Sequence, residues 1–172
     1  MTRIHIAADH GGYEIGRALQ ARALAAGHDV IWHGPDALDP GDDYPAFAVR
    51  VGKAVVDDQD AALDAFGVLV VEDPAFAVVA ANKVTGARAL PAVSPNVAIA
   101  GRKGVDANVL VLGGDALEQI AWQTLIAFVT TKLDHAVDPA RRVLQIQEYE
   151  SAGTIEGWAV QLEPEQVAVQ HD

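Results

Sequence analysis

Residues 67–84, GVLVVEDPAFAVVAANKV, read as a buried strand, a tight turn and the opening of a helix. Gly67 to Val71 is a continuous apolar run rich in valine, the pattern of a parallel strand covered on both faces. Glu72, Asp73 and Pro74 end it. Pro74 suits the first turn of a helix, where its missing N–H is no loss. Ala75 to Ala81 continue as small apolar residues, and the helix is expected to run to about Lys83. In an open α/β sheet, ligands bind at turns of this kind, where a strand passes into a helix.

The same alternation extends outward in both directions. Upstream, Arg3–Ala8 predicts a first strand, Asp9-His10-Gly11-Gly12 a turn, and Tyr13–Ala26 a helix with Ile15, Ala18, Leu19, Ala23 and Leu24 on or near one face. Gly27 supplies a helix stop. Asp29–His33 predicts a second strand, and Gly34–Asp43, rich in Gly, Pro and Asp, a loop. Tyr44–Val56 predicts a second helix with Asp43 as N-cap and a stripe of Phe47, Val51 and Val55; Asp57–Asp64 predicts a polar connection. Downstream, Thr85-Gly86 is a turn and Ala87–Ala92 a fourth strand weakened by Pro91. Ser94-Pro95 opens a short helix to about Lys103, and Asn108–Leu112 is a fifth strand. Asp115 is expected to cap a long helix whose stripe is Leu117, Ile120, Ala121, Leu125 and Phe128. After a break at His135–Asp138, Pro139 opens a last helix to about Glu150.

Five strands alternating with helices predict an α/β three-layer Rossmann-like sandwich with a five-stranded parallel sheet, plus a C-terminal helix and tail. Residues 1–150 are expected to form one domain. The polar, acidic and aperiodic stretch 151–172 is a tail expected to dock on the domain or on a partner subunit. The ligand cleft belongs at the carboxyl ends of the strands, among Asp9–Gly12, His33–Asp36, Glu72–Pro74, Ala92–Pro95 and Gly113–Asp115.

Composition limits the function classes. The chain has 172 residues, 51% of them hydrophobic, enough for one full-sized core. There is no cysteine, which excludes disulfides, Cys-ligated zinc and a thiolate catalyst. The net charge of -12 argues against a nucleic-acid partner, because phosphate binding needs clustered Lys and Arg. No apolar run reaches membrane-spanning length, and the N-terminus enters a strand directly, so a cytoplasmic location is expected.

Within the five turns, Glu72 and Asp73 offer adjacent carboxylates that can split their pKa values into acid and base roles. Against that, Asp73 can simply N-cap the helix that Pro74 begins. His10 beside Asp9 reads either as an oriented general base or as a framework turn tied down by Asp9. No ligand spacing such as HxH or HExxH links His10, His33, Glu72, Asp73 and Asp115, so no metal is expected. His5, inside a strand, reads as structural; His28, His135 and His171 read as surface positions, and Trp32 and Trp158 as packing. Gly11-Gly12 lacks the third glycine of a dinucleotide turn, and no cofactor is expected.

Four segments carry a family resemblance: IAADHGGYEI near the start, DDYPAFA at Asp42–Ala48, AANKVTGARA at Ala80–Ala89 and DANVLVLGG at Asp106–Gly114. They resemble the type B ribose-5-phosphate isomerases, a family that also contains the galactose-6-phosphate isomerase subunits. RRVLQIQEYE at Arg141–Glu150 looks like the actinobacterial branch. The resemblance implies the fold above, no metal, and a homodimer or dimer of dimers with shared active sites. It implies aldose–ketose isomerisation of sugar phosphates through an enediolate.

The resemblance also places the family's functional positions, and many are replaced. The base falls at Val71 or, in the actinobacterial branch, at Ala77; the glycine-rich anion hole falls at Glu72 to Phe76. The ring-opening His falls at Gly104, and two phosphate arginines fall at Asp115 and near Asp138. Asp9, His10, Asp43, Tyr44, Asn82 and Arg142 are retained as substrate-binding candidates, joined by Asp115 at its altered position. His10, Glu72 and Asp73 are the catalytic candidates. The expected function is isomerisation of a small sugar or sugar derivative with altered substrate or chemistry. The alternative is a non-catalytic paralogue, a binding or regulatory subunit or a heteromer partner of an active homologue.

Overall fold

The computed structural model describes residues 1–133 and 137–156. Strands β1 (Arg3–Ala8), β2 (Asp29–Trp32), β3 (Ala65–Val71), β4 (Ala89–Pro91) and β5 (Val109–Gly113) form one parallel sheet in the order β2-β1-β3-β5-β4. Helices α1 (Tyr13–Ala25), α2 (Tyr44–Asp60), α3 (Pro74–Ala81), α4 (Pro95–Val105), α5 (Glu118–Thr130) and α6 (Val137–Ala152) follow the strands in turn, the last two in succession. The three-layer α/β sandwich is as expected.

Two cores flank the sheet because β3 presents alternate valines and leucines to opposite faces. Val68 and Val70 pack with Ile4, Ile6, Leu19, Leu125 and Phe128, from β1, α1 and α5. Leu69 and Val71 pack with Phe47, Val51, Val55, Ala77 and Ala81, from α2 and α3. Every residue of β3 is buried, as a central parallel strand requires. Gly67 sits under α2, where a Cβ would come within 2.7 Å of Val51 Cγ1.

Several local expectations shift. Helix α2 extends past Val56 to Asp60, taking up half of the expected polar connection, because Lys53 and Asp57 pair one turn apart at 2.6 Å. Strand β3 begins earlier, at Ala65, and β4 is only three residues. Asp115 does not cap α5: Leu117 is the N-cap, no side chain makes the capping bond, and Leu117 is 75% exposed outside the stripe. The buried face of α5 is Ala121, Thr124, Leu125 and Phe128. On α1 the buried line is Gly16, Leu19 and Ala23, while Leu24 faces solvent. Helix α6 opens at Val137, two residues before Pro139, and buries Val143 but leaves Leu144 exposed. His28 is half-buried rather than on the surface. The expectations for His135, Trp158, His171 and most of the tail lie outside the described residues.

The strand order reverses direction between β1 and β3: β1 leads to β2 on one side, and β3 leads through α3 to β4 on the other. The loops leaving the adjacent ends of β1 and β3 therefore diverge, opening a crevice there.

Candidate active site

Three turns meet at this crevice: Asp9–Gly12 after β1, Glu72–Pro74 after β3 and Gly113–Asp115 after β5. Glycines let the chain approach here more closely than side chains would allow; a Cβ on Gly11 would lie 2.6 Å from Glu72 Cβ. A Cβ on Gly12 would lie 2.0 Å from the Val70 carbonyl oxygen, and one on Gly114 would lie 2.0 Å from the Gly11 carbonyl oxygen.

Asp9 is buried at 2% exposure and locks the first two turns together. Its carboxylate accepts the Gly12 N–H at 3.1 Å and, through both oxygens, the Glu72 N–H at 3.1 Å. Burial raises its pKa, and the bonds from Glu72 and Gly12 only partly oppose the rise. Asp9 makes no hydrogen bond to the His10 ring. The framework reading of Asp9 is the one its geometry matches.

His10 is clamped instead by Asp42, a residue the sequence reading passed over in favour of its neighbour Asp43. The His10 backbone N–H donates to Asp42 Oδ1 at 2.6 Å, and His10 Nδ1 donates to the Asp42 carbonyl oxygen at 2.9 Å. A carbonyl oxygen only accepts, so Nδ1 carries a proton. The other ring nitrogen, Nε2, lies 3.0 Å from Glu72 Oε2. That contact needs one more proton: an imidazolium facing a carboxylate, or a neutral imidazole accepting from a carboxylic acid. The Asp42 carbonyl above all, then the charges of Asp9 and Glu72, raise the His10 pKa over the counteracting desolvation. The pair stands at the mouth with His10 35% and Glu72 64% exposed, open to a ligand from solvent. The second Asp42 oxygen, Oδ2, is buried without a hydrogen-bond partner. The signal for Asp42 in the sequence was the DD pair itself, since either carboxylate can reach back from the start of α2.

The remaining candidates divide. Asp43 is the N-cap of α2, its carboxylate accepting the Tyr44 N–H at 2.8 Å. Tyr44 is half-buried and its ring sits 6.5 Å from that of Phe76. Phe76 is 57% exposed and leans on Tyr44 without filling the turn. Asp73 occupies the N-cap position of α3, but its side chain makes no capping bond; its carbonyl accepts the Phe76 and Ala77 N–H groups instead. Asp115 is exposed at the rim of the third turn. Val71 and Ala77 are fully buried in the core.

Asn82 and Arg142 are not brought to this mouth. Asn82 ends α3, and its amide group exchanges two hydrogen bonds with the Ala89 backbone at the opposite, amino end of β4. Arg142 is exposed on α6, which packs against α4. His33 is not beside His10 either: it joins a separate chain in which His5 Nδ1 meets His33 Nε2 at 2.8 Å and His5 Nε2 meets Asp58 Oδ2 at 2.9 Å. Among the described residues, no three His, Asp or Glu side chains are grouped to hold a metal ion. Among them, too, no helix is long and apolar enough to cross a membrane.

Comparison with known proteins agrees with the fold and its motifs. The family described as Ribose/Galactose Isomerase matches residues 4–146. The ribose-5-phosphate isomerase B of Mycolicibacterium paratuberculosis is 33% identical over 150 residues, covering 86% of this chain and 91% of that one. The Mycobacterium tuberculosis counterpart is also 33% identical, over 86% and 90% of the two chains. Among solved structures, ribose-5-phosphate isomerase B from Mycoplasma genitalium with bound ribulose-5-phosphate superposes with a TM-score of 0.81 at 28% identity, covering 88% of this chain and 97% of that one. The Thermotoga maritima enzyme gives 0.78 at 29% identity, covering 86% and 98%. With the family model matching residues 4–146 and a relative 33% identical over 86% of this chain, the chain belongs to the ribose/galactose isomerase family.

Proposed function

We propose that this family member is an aldose–ketose isomerase with altered chemistry, acting on a sugar or sugar derivative that lacks a phosphate. The observation that carries the reading is the His10 Nε2–Glu72 Oε2 contact of 3.0 Å at the β1/β3 crevice, with His10 held by Asp42. Isomerisation through an enediolate needs a base for the proton beside the carbonyl and an acid for the carbonyl oxygen. Glu72 supplies the carboxylate, and His10, with Nδ1 occupied by Asp42, presents Nε2–H as the donor. Asp73 has no capping bond and adds a second carboxylate beside them.

The charge of the mouth favours an uncharged substrate. Glu72, Asp73 and Asp115 surround it, and a phosphate dianion would be repelled by about one to several kcal/mol for each close pair at intermediate dielectric. On this reading the site is shared between subunits of a homodimer or dimer of dimers, which the family resemblance supports. The exposure of Arg142 on α6, away from the mouth of its own chain, fits a role in a neighbouring subunit.

The test is an isomerase assay over free and phosphorylated tetroses, pentoses and hexoses. Turnover of a free sugar, with little or none of ribose 5-phosphate, is the expected result. Robust turnover of ribose 5-phosphate sinks the substrate assignment. No turnover of any sugar leaves the non-catalytic binding or heteromer subunit.

A further inference from the structure

Beside the Gly113–Asp115 turn lies a cavity of about 360 Å³ that the proton-transfer pair does not use. Its walls are Ala92, Leu112, Leu117, Ile120 and Ala121, at the ends of β4 and β5 and the start of α5. The hydroxyl on this wall, Thr124, donates to the Ile120 carbonyl at 2.8 Å and is spent within the helix. Pro74 and Asp115 form the side toward the crevice. Leu117 and Val93, 75% and 87% exposed, carry the apolar surface out to the rim.

The cavity adjoins the site on the side of Pro74 and Asp115. Pro74 follows Glu72 by two residues, so their Cα atoms are at most about 7 Å apart. A Cβ on Gly113 would come within 3.7 Å of Pro74 Cγ, and Gly114 packs directly on Gly11, so the turns are in close contact. A sugar reacting at Glu72 and His10 has its far end within reach of the cavity.

We infer that this cavity receives the end of the substrate remote from the carbonyl, and that this end is apolar: a terminal carbon bearing hydrogen or a short alkyl group in place of hydroxyl or phosphate. The inference rests on the isomerase reading and names its substrate class. Beyond Asp115 at the rim, the inner walls of Ala92, Leu112, Ile120 and Ala121 give a terminal hydroxyl no side-chain partner, and an unpartnered hydroxyl loses its hydration on entering. Asp115 at the rim repels an anion. A pocket of this kind discriminates by about tenfold or more for a single methyl-sized difference.

The probes are two pairs, 5-deoxy-D-ribose against D-ribose and 6-deoxy-D-glucose against D-glucose, with ribose 5-phosphate as the anionic control. Binding to the full chain is read by titration with ligand-observed NMR, and turnover is assayed separately. In at least one pair the deoxy sugar is expected to bind about tenfold tighter than its parent, with ribose 5-phosphate weakest. If neither deoxy sugar binds tighter than its parent, the assignment of the cavity falls. Tight deoxy-sugar binding without turnover overturns the isomerase reading and leaves the cavity assignment standing. Ala121→Leu, which fills the cavity, is expected to erase the preference. Because Ala121 is buried, Leu117→Ser at the exposed rim is the second variant, expected to cut the preference several-fold with unfolding unchanged. If Leu117→Ser instead dissociates an oligomer in sedimentation and leaves sugar affinity unaltered, the cavity is an interface between copies and the inference is overturned.

Discussion

Two histidines five residues apart on β1 and its following turn meet opposite fates. His5 is 3% exposed and sits in a closed chain: Arg3 and His5 both bond Asp58, at 3.0 and 2.9 Å, and His33 closes the other end. His10 lies at the tip of the same segment, held by Asp42 on one side and facing the exposed Glu72 on the other. Burial, then the neighbouring charges of His5 and Arg50, push His33 down to about 4, so it stays neutral at ordinary pH. Acceptors around His10 push it the other way. Both clusters contain imidazole and carboxylate at hydrogen-bond distance. What separates the two clusters is whether the last group in the chain is satisfied inside the protein or presented to solvent.

The largest effect tests the open cluster. Glu72→Gln or His10→Asn is expected to lower kcat about 10²- to 10⁴-fold on whichever sugar is turned over, the usual size of a lost acid or base. The midpoint of urea unfolding should move little, because a solvent-exposed ion pair contributes little to stability. A large loss of stability with activity retained would make this pair structural, like its counterpart on β1.

The closed cluster should respond in reverse. Desolvation works to raise the Asp58 pKa, but Arg3 and His5 together hold it below the usual carboxylate value. Asp58→Ala strands the buried Nε2–H of His5 and leaves Arg3 paired with Asp29 alone, so a destabilisation of about 1–3 kcal/mol is expected by denaturant titration, with kcat unchanged for the folded fraction. An unchanged midpoint would mean that the chain contributes nothing to the fold.

His33 sharpens the comparison through pH. Its folded pKa of about 4 lies below the ordinary 6.5, so between these values the unfolded chain binds more protons than the folded one. Stability therefore rises with pH across that window and is lost as pH falls from 6.5 to 4. Allowing for the partial exposure of His33, its share is about 1–2 kcal/mol. His33→Asn should flatten the dependence there; an unaltered slope would place the titration elsewhere. His10, shifted upward, has the opposite sign: its contribution is complete at low pH and fades as pH rises through its folded value.

The smallest expected effect concerns the turn on which the sequence reading centred. Asp73 makes no capping bond, so Asp73→Ala should change stability by less than about 0.5 kcal/mol. A loss near 1 kcal/mol, the usual worth of an N-cap, would restore the capping role.

The motifs that carry the family resemblance do a different job from the turn residues at the mouth. Asp106 has φ +48, ends α4, and pairs with Arg88 and Arg102 at 3.1 and 2.6 Å. Asn108, fully buried, receives the Arg88 N–H and donates to Gln59 and Gly86. Gly86, at φ +85, turns the chain there. These residues, with Asn82, lock the amino ends of β4 and β5, at the far side of the sheet from the mouth. Framework locks of this kind tolerate few substitutes, because each replaces a buried polar bond or a left-handed turn. That accounts for motifs legible as a family.

From the sequence alone came the five strands, the parallel sheet and the five turns around the mouth, because strand burial and the strand-helix alternation are written in local apolar periodicity. The Asp43 cap and the Gly27 stop, at φ +85, were legible for the same local reason. Only the tertiary structure decided which turn residues meet. The approach of Gly114 to Gly11 and the grip of Asp42 on His10 join segments about 100 and about 30 residues apart, and no local pattern encodes such contacts. The turn after β3 thus holds neither its own acid–base pair nor a simple helix cap. Glu72 finds its partner on β1's turn, and Asp73 is left without one, because side chains at strand ends are aimed by the sheet rather than by their neighbours in the chain.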